Sequence, residues 1–319
     1  MPAVPIQNAS FAVTGGCGFI GANVVRSLLD EGANRVLVLD SLKAGRRERL
    51  PEDPRVVFIE TTLGEVSVER LAQMLHGVSG VFHLAAEKHR PSLDSPRDLV
   101  LTNVLGTRDV IEAGRAAGIR KLVFSSSLYA YGRMSGPPMV ETEPCHPHTL
   151  YGTTKVAGEN LVDAAYRSGA FAAVALRYFF VYGPRQYVGT GYKSVVVANF
   201  ERMRRNEPPL IHGDGEQSLD YSHVDDIARA TVLAMSREVN GKVLNVGSGR
   251  ALSVNELTEA MMQAAGARFE PVFDDPDNTA GSCRVANTGH AESLLGFRSH
   301  IALDDGLRAT WEWIRSQPL

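Results

Sequence analysis

The chain has 319 residues, with 33 Lys and Arg against 36 Asp and Glu and a formal net charge of −3. That length can bury a substantial core, and the near balance of charge excludes a dominant nucleic-acid-binding surface. The three widely spaced cysteines, Cys17, Cys145 and Cys283, define neither a disulfide framework nor a metal motif, so no metal is expected. With no signal-like start and no apolar run of membrane-spanning length, a soluble cytoplasmic protein that binds neither nucleic acid nor membrane is expected.

In chain order, an apolar strand runs into Phe11-Ala-Val-Thr-Gly-Gly-Cys-Gly-Phe-Ile-Gly21, and an amphipathic helix over about Phe19 to Asp30 leaves it. Gly15, Gly18 and Gly21 permit a tight turn, close approach of a pyrophosphate and close helix–strand packing. Phe19 and Ile20 open the helix, whose first turn offers free N–H groups and partial positive charge. Arg35-Val-Leu-Val-Leu-Asp40 reads as a second buried strand ending in a carboxylate, 19 residues past Gly21. An acid there accepts hydrogen bonds from an adenosine ribose and argues for NAD over NADP. Lys43, Arg46 and Arg47 leave room for NADP.

A short apolar segment follows at Val56 to Ile59, then a helix from Val68 to Leu75 and a strand with its C-terminal loop over Val78 to Ala86. Glu87 to Pro96 is a polar loop, and Asn103 to Thr107 lies in a long helical stretch ending near Gly118. Lys121 to Ser127 is an apolar strand ending in hydroxyls, and Gly132 to Thr149 is a Gly/Pro-rich loop. Tyr151 to Arg167 reads as a helix and Ala172 to Phe180 as a strand. This alternation predicts an α/β fold: a Rossmann-like parallel sheet with helices on both faces.

The last third is less regular. Helices are expected at Val195 to Asn206, Asp225 to Met235 and about Leu303 to Ile314, with short strands at Leu210 to Gln217 and Lys242 to Val246. Ser253 and Glu256 have capping-box spacing. Arg202, Arg204 and Arg205 read as a solvated helix face. The expected division is a dinucleotide-binding domain over residues 1–178, with returning segments at about 218–248, and a smaller C-terminal α/β substrate domain from 179–217 and 249–319.

Tyr151-Gly-Thr-Thr-Lys155 carries the chemistry. Residues i and i+4 share a helix face, so Lys155 can support Tyr151 and a nicotinamide ribose together. A nearby ammonium lowers a tyrosine pKa, and Tyr151 could then take a hydroxyl proton as hydride leaves the same carbon. Ser127 could donate to the developing carbonyl.

Together these segments resemble the extended short-chain dehydrogenase/reductase family, in its NAD-dependent nucleotide-sugar epimerase/dehydratase branch. The resemblance also rests on His83-Leu-Ala-Ala86, Asn103-Val-Leu-Gly-Thr107, Arg177-Tyr-Phe, Tyr182-Gly-Pro-Arg-Gln186, Ile211-His-Gly-Asp-Gly-Glu216, Asp220 to Asp226 and Asn245 to Gly249. It implies an NAD site that includes Leu84, Ala85, Ala86, Lys88, Asn103 and Tyr178, and a nucleotide-sugar site that includes Ser127, Phe180, Arg185 and Tyr187. It further implies a homodimer and a UDP-glucose 4-epimerase-like reaction, in which C4 of the sugar is oxidised transiently and the hydride returned.

The match departs at several positions. Thr62 stands where the branch usually has an acid touching adenine. Phe180 and Leu219 replace an asparagine and an arginine, and Asp274 to Asp277 occupies a region that usually supplies another arginine. Arg185, Lys193, Arg204 and Arg284 are the candidates to replace the lost charge. Ser127-Leu-Tyr129 stands where 4,6-dehydratases carry Thr-Asp-Glu. An unusual 5,6-dehydratase or a reductase on a related activated sugar is therefore the alternative, with Glu87, His89, Tyr129 and Cys145 as candidate acids.

Overall fold

The computed structural model describes residues 3–87, 95–132, 136–186 and 193–317. Seven parallel strands form one sheet, in the order Lys242–Val246, Ala172–Tyr178, Lys121–Ser127, Gly80–His83, Ser10–Thr14, Arg35–Asp40, Val56–Glu60. Successive side chains point to opposite faces. Phe11 and Val13 join a core under the helices Phe19–Asp30 and Val224–Ser236, whereas Ala12 joins the core under Val68–Met74, Gly106–Ala117 and Leu150–Arg167. Both faces are covered, which is why Ala172–Tyr178 and Lys121–Ser127 are buried along their whole length.

Strand order reverses between Ser10–Thr14 and Gly80–His83. Loops leaving the carboxyl ends of these neighbours diverge, and a crevice opens between them. A third core, which includes Phe200, Leu219, Tyr221, Leu257 and Trp311, builds the additional C-terminal α/β region. Its small sheets pair Phe180–Tyr182 with Tyr221–His223, and Leu210–His212 with Val272–Asp274. The Ser253–Glu256 capping box is present in both directions.

Two sequence expectations need correction. The strand expected over Ala172 to Phe180 is two strands, Ala172–Tyr178 and Phe180–Tyr182. The partner changes at the break: the Phe179 amide donates to the Val246 carbonyl and the Phe180 amide to the Asp220 carbonyl. The long helix ending at Gly118 contains a π turn, Leu101–Leu105. Helical periodicity gives no sign of a single turn closed by wider hydrogen bonds.

Candidate functional site

The crevice begins at the glycine turn. Gly15 has φ of +69°, and a Cβ there would lie 2.7 Å from the Ala85 Cα. At Gly21 a Cβ would lie 2.1 Å from the Gly15 carbonyl oxygen. Helix Phe19–Asp30 starts with no side-chain cap and no acid in its first turn, so its amide end faces the crevice with partial positive charge. Gly21→Ala is expected to destabilise the fold by about 1–3 kcal/mol, because the obstructing atoms are backbone. Urea denaturation checks this, and a wild-type midpoint would contradict it.

Gly15, Gly18, Phe19, Ile20, Gly21, Asp40, Leu84, Ala85, Ala86, Tyr151, Lys155 and Tyr178 all line this first cleft, of about 370 Å³. Asp40 is buried and accepts from the Cys17 and Leu42 amides, each at 2.9 Å, so it also ties the glycine turn to its own strand end. Burial pushes the Cys17 thiol up to about 12, with Asp40 adding to the effect, and the side chain stays a neutral filler. Thr62 lines the cleft beyond Asp40.

A buried polar chain holds the cleft floor. The Ala85 amide donates to Thr14 Oγ1, which is 2.7 Å from His83 Nδ1. His83 Nε2 is 2.9 Å from Thr107 Oγ1, and Thr107 donates to the Asn103 carbonyl. Every group is satisfied when His83 is neutral with its proton on Nε2. Burial, reinforced by Lys155, pushes His83 down to about 3 and keeps it so. Its importance was visible in sequence only as part of a motif, since its partners lie 69 and 24 residues away.

Asn103, expected at the cofactor, stands behind the wall and does not line the cleft. Its Oδ1 accepts from the Glu87 amide at 2.8 Å, and its Nδ2 donates to the Glu87 carbonyl and to Thr154 Oγ1. The side chain therefore joins the wall at Glu87 to the helix that carries Tyr151. Lys88, Tyr187 and His89 lie outside the described residues.

Ser127, Tyr151 and Lys155 come together at the carboxyl end of the strand Lys121–Ser127. Thr149 caps the helix Leu150–Arg167 by accepting from the Gly152 amide at 3.0 Å, and this fixes Tyr151 in the first turn. Tyr151 is hydrogen-bonded to Ser127, and Lys155 Nζ donates to the Ser125 carbonyl at 2.8 Å. The ammonium lies 5.6 Å from the Tyr151 ring centroid.

The expected depression of the Tyr151 pKa is opposed by burial. Burial pushes Tyr151 up to about 12, and the Ser127 hydrogen bond only moderates this. Burial likewise pushes Lys155 down to about 8, against an opposing pull from Glu159. Lys155 Nζ, bonded to the Ser125 carbonyl, also lies 5.2 Å from the Phe124 ring centroid.

Glu159, one turn beyond Lys155, carried no signal of its own in the sequence. It pairs with Arg177 at 2.7 Å and accepts from Ser126, with both charged side chains over nine-tenths buried. Arg177 also stacks 4.3 Å from the Tyr131 ring and donates to Cys145 Sγ. A glutamate on the same helix face as Lys155, opposite an arginine within a buried strand, was the available clue.

A second cleft of about 260 Å³ lies beyond Tyr151. Tyr129, Phe180, Leu219 and Tyr221 line it, together with Asn199, Arg202, Gln217, His212 and Asp277. Tyr129 meets Tyr151 edge to face, with ring centroids 5.8 Å apart, and so stands at the border of the two clefts. Arg202, read from sequence as solvated, lines the second cleft because its helix turns that edge inward. Arg185, expected at the substrate, lines neither cleft. Its guanidinium donates to Asn23 Oδ1 at 2.6 Å and faces Asp225. Arg204 donates to the carbonyls of Ile314 and Gln317, and Arg284 to that of Asn278. Among the described residues there is no cluster of metal-ligating side chains, and no helix is long and apolar enough to cross a membrane.

The family model described as "NAD dependent epimerase/dehydratase family" matches residues 11–247. A putative UDP-glucose 4-epimerase of Methanocaldococcus jannaschii is 32% identical over 306 residues, covering 95% of this chain and 98% of the relative. The UDP-glucose 4-epimerase structure from Thermotoga maritima, solved with UDP-glucose, is 35% identical with a TM-score of 0.89, covering 96% of this chain and 98% of that one. A UDP-N-acetylglucosamine 4-epimerase from Methanobrevibacter ruminantium, in complex with UDP-N-acetylmuramic acid, superposes with a TM-score of 0.92 at 30% identity, covering 98% and 100% of the two chains.

Proposed function

We propose that this chain, which belongs to the NAD-dependent epimerase/dehydratase family, is an epimerase that inverts a nucleotide sugar at C4. Membership makes it an enzyme that uses NAD on nucleotide sugars, and the C4 assignment is the finer step. The observation that carries it is Tyr151, which lines the first cleft, is hydrogen-bonded to Ser127 behind it, and meets Tyr129 of the second cleft edge to face.

The first cleft fits the cofactor. Its uncapped helix start and the side-chain-free surface at Gly15, Gly18 and Gly21 suit a pyrophosphate, and Asp40 suits an unphosphorylated ribose. Leu84, Ala85, Ala86, Lys155 and Tyr178 would flank the nicotinamide end. Bound NAD supplies a reversible hydride acceptor. Tyr151 would take the proton of the sugar C4 hydroxyl and later return it, while Ser127 donates to the same oxygen as it gains carbonyl character. Lys155 would steady Tyr151 and offset the negative charge left on it. The second cleft would take the rest of the nucleotide sugar.

Thr62 is neutral where a carboxylate would strengthen a hydrogen bond from adenine. Thr62→Asp is expected to tighten NAD binding measured by calorimetry, and unchanged or weaker binding would refute that placement.

The decisive experiment incubates the purified protein with UDP-, GDP- and TDP-sugars and reads products by mass and NMR. Unchanged mass with inversion at C4 is the expected result. Loss of water would replace this reading with a dehydratase, and no turnover across the panel would reject both.

A further inference from the structure

We infer that Lys193 is the cation that grips the diphosphate of the substrate; the inference rests on the nucleotide-sugar reading above. A sugar presented to Tyr151 with its nucleoside in the second cleft must pass its diphosphate through the junction of the clefts. Among the described residues, the side chains that line both clefts are Val181, Lys193 and Ser194. Lys193 is thus the one cation common to both, and a diphosphate leaving water needs such a charge.

The other cations of the second cleft, Arg202 and His212, do not line the first. Arg202 Nε donates to the Pro208 carbonyl at 2.7 Å, and its Nη1 faces Glu207 at 3.7 Å. His212 is exposed and turned to the Asp275 carbonyl and Asp274. Arg185, Arg204 and Arg284 are committed elsewhere, as described above.

Lys193 is also held ready. It pairs with Glu201, and both side chains are mostly shielded, at 21% and 13% exposure. Glu201 is within the helix Val195–Arg204, whose amide end starts beside Lys193 and adds positive character there. An ammonium has three donors, so Lys193 can keep Glu201 and still reach a phosphate oxygen. Glu201 would then orient the lysine before the substrate arrives, which reduces the ordering cost of binding.

The test uses the NAD-loaded full chain and calorimetry with UDP, GDP and TDP, and with the matching uncharged nucleosides as controls. Lys193→Met is expected to weaken the preferred diphosphate by about 10- to 100-fold and to leave its nucleoside unchanged. Lys193→Arg should bind near wild type. The pair Lys193→Met with Glu201→Gln removes the stranded carboxylate, and it should show the same selective loss. Equal weakening of diphosphate and nucleoside would reveal a merely structural lysine and overturn the inference. So would diphosphate binding in the double variant that equals wild type. If the wild type binds none of the three diphosphates, the nucleotide-sugar reading itself falls.

Discussion

Tyr151→Phe is expected to lower turnover by about 10²- to 10⁴-fold while NAD remains bound and the fold unchanged. The substitution removes one hydroxyl and keeps the ring. The edge-to-face contact with Tyr129 and the approach of Lys155 to the ring therefore persist. Ser127 can still donate to a sugar oxygen, but a serine hydroxyl cannot replace the phenol as proton acceptor. Burial pushes Tyr151 up to about 12, so a phenolate there calls for a positive neighbour, and Lys155, 5.6 Å from the ring centroid, is the side chain placed to supply it. The measurement is steady-state turnover with the substrate found in the panel, alongside calorimetric NAD affinity. Turnover close to wild type would remove Tyr151 from its assigned role.

The second large effect concerns stability. Glu159→Leu is expected to destabilise the protein by about 3–5 kcal/mol, because it strands the Arg177 charge inside the sheet. Arg177 Nε and Nη2 donate to the two Glu159 oxygens at 2.9 and 2.7 Å, and the pair is almost wholly shielded from water. Glu159 also accepts from Ser126, the neighbour of both Ser125 and Ser127. The loss should therefore reach catalysis, since Ser125 holds Lys155 and Ser127 holds Tyr151. Replacing both partners, Glu159→Leu with Arg177→Met, is expected to recover much of the stability, as an apolar pair leaves no buried charge. Urea denaturation of the single and double variants measures both effects. A single-variant loss below about 1 kcal/mol would place the pair among weak ion pairs.

Much of the site was legible because its cues are local. The glycine spacing, Asp40 at a strand end and the Tyr151–Lys155 interval each depend on a few consecutive residues, and the structure puts all of them on one cleft. Asn103 reaches the catalytic helix through Thr154, and its π turn and Glu87 contact are invisible to a helical repeat. The Arg185 contact with Asn23 could not be read, because the two are 162 residues apart in sequence. The Arg202 side chain looked solvated because a charge-rich helix end does not reveal which edge another element covers.

Periodicity, turn chemistry and short spacings were enough to specify a doubly wound parallel sheet, its nucleotide turn and a tyrosine–lysine pair on one helix face. These follow from backbone geometry within single elements. The strand break at Phe179, the neutral His83 between two threonines and the Glu159–Arg177 pair came from packing. Each depends on which distant elements exclude water from a given side chain, and that exclusion sets both the protonation state and the partner.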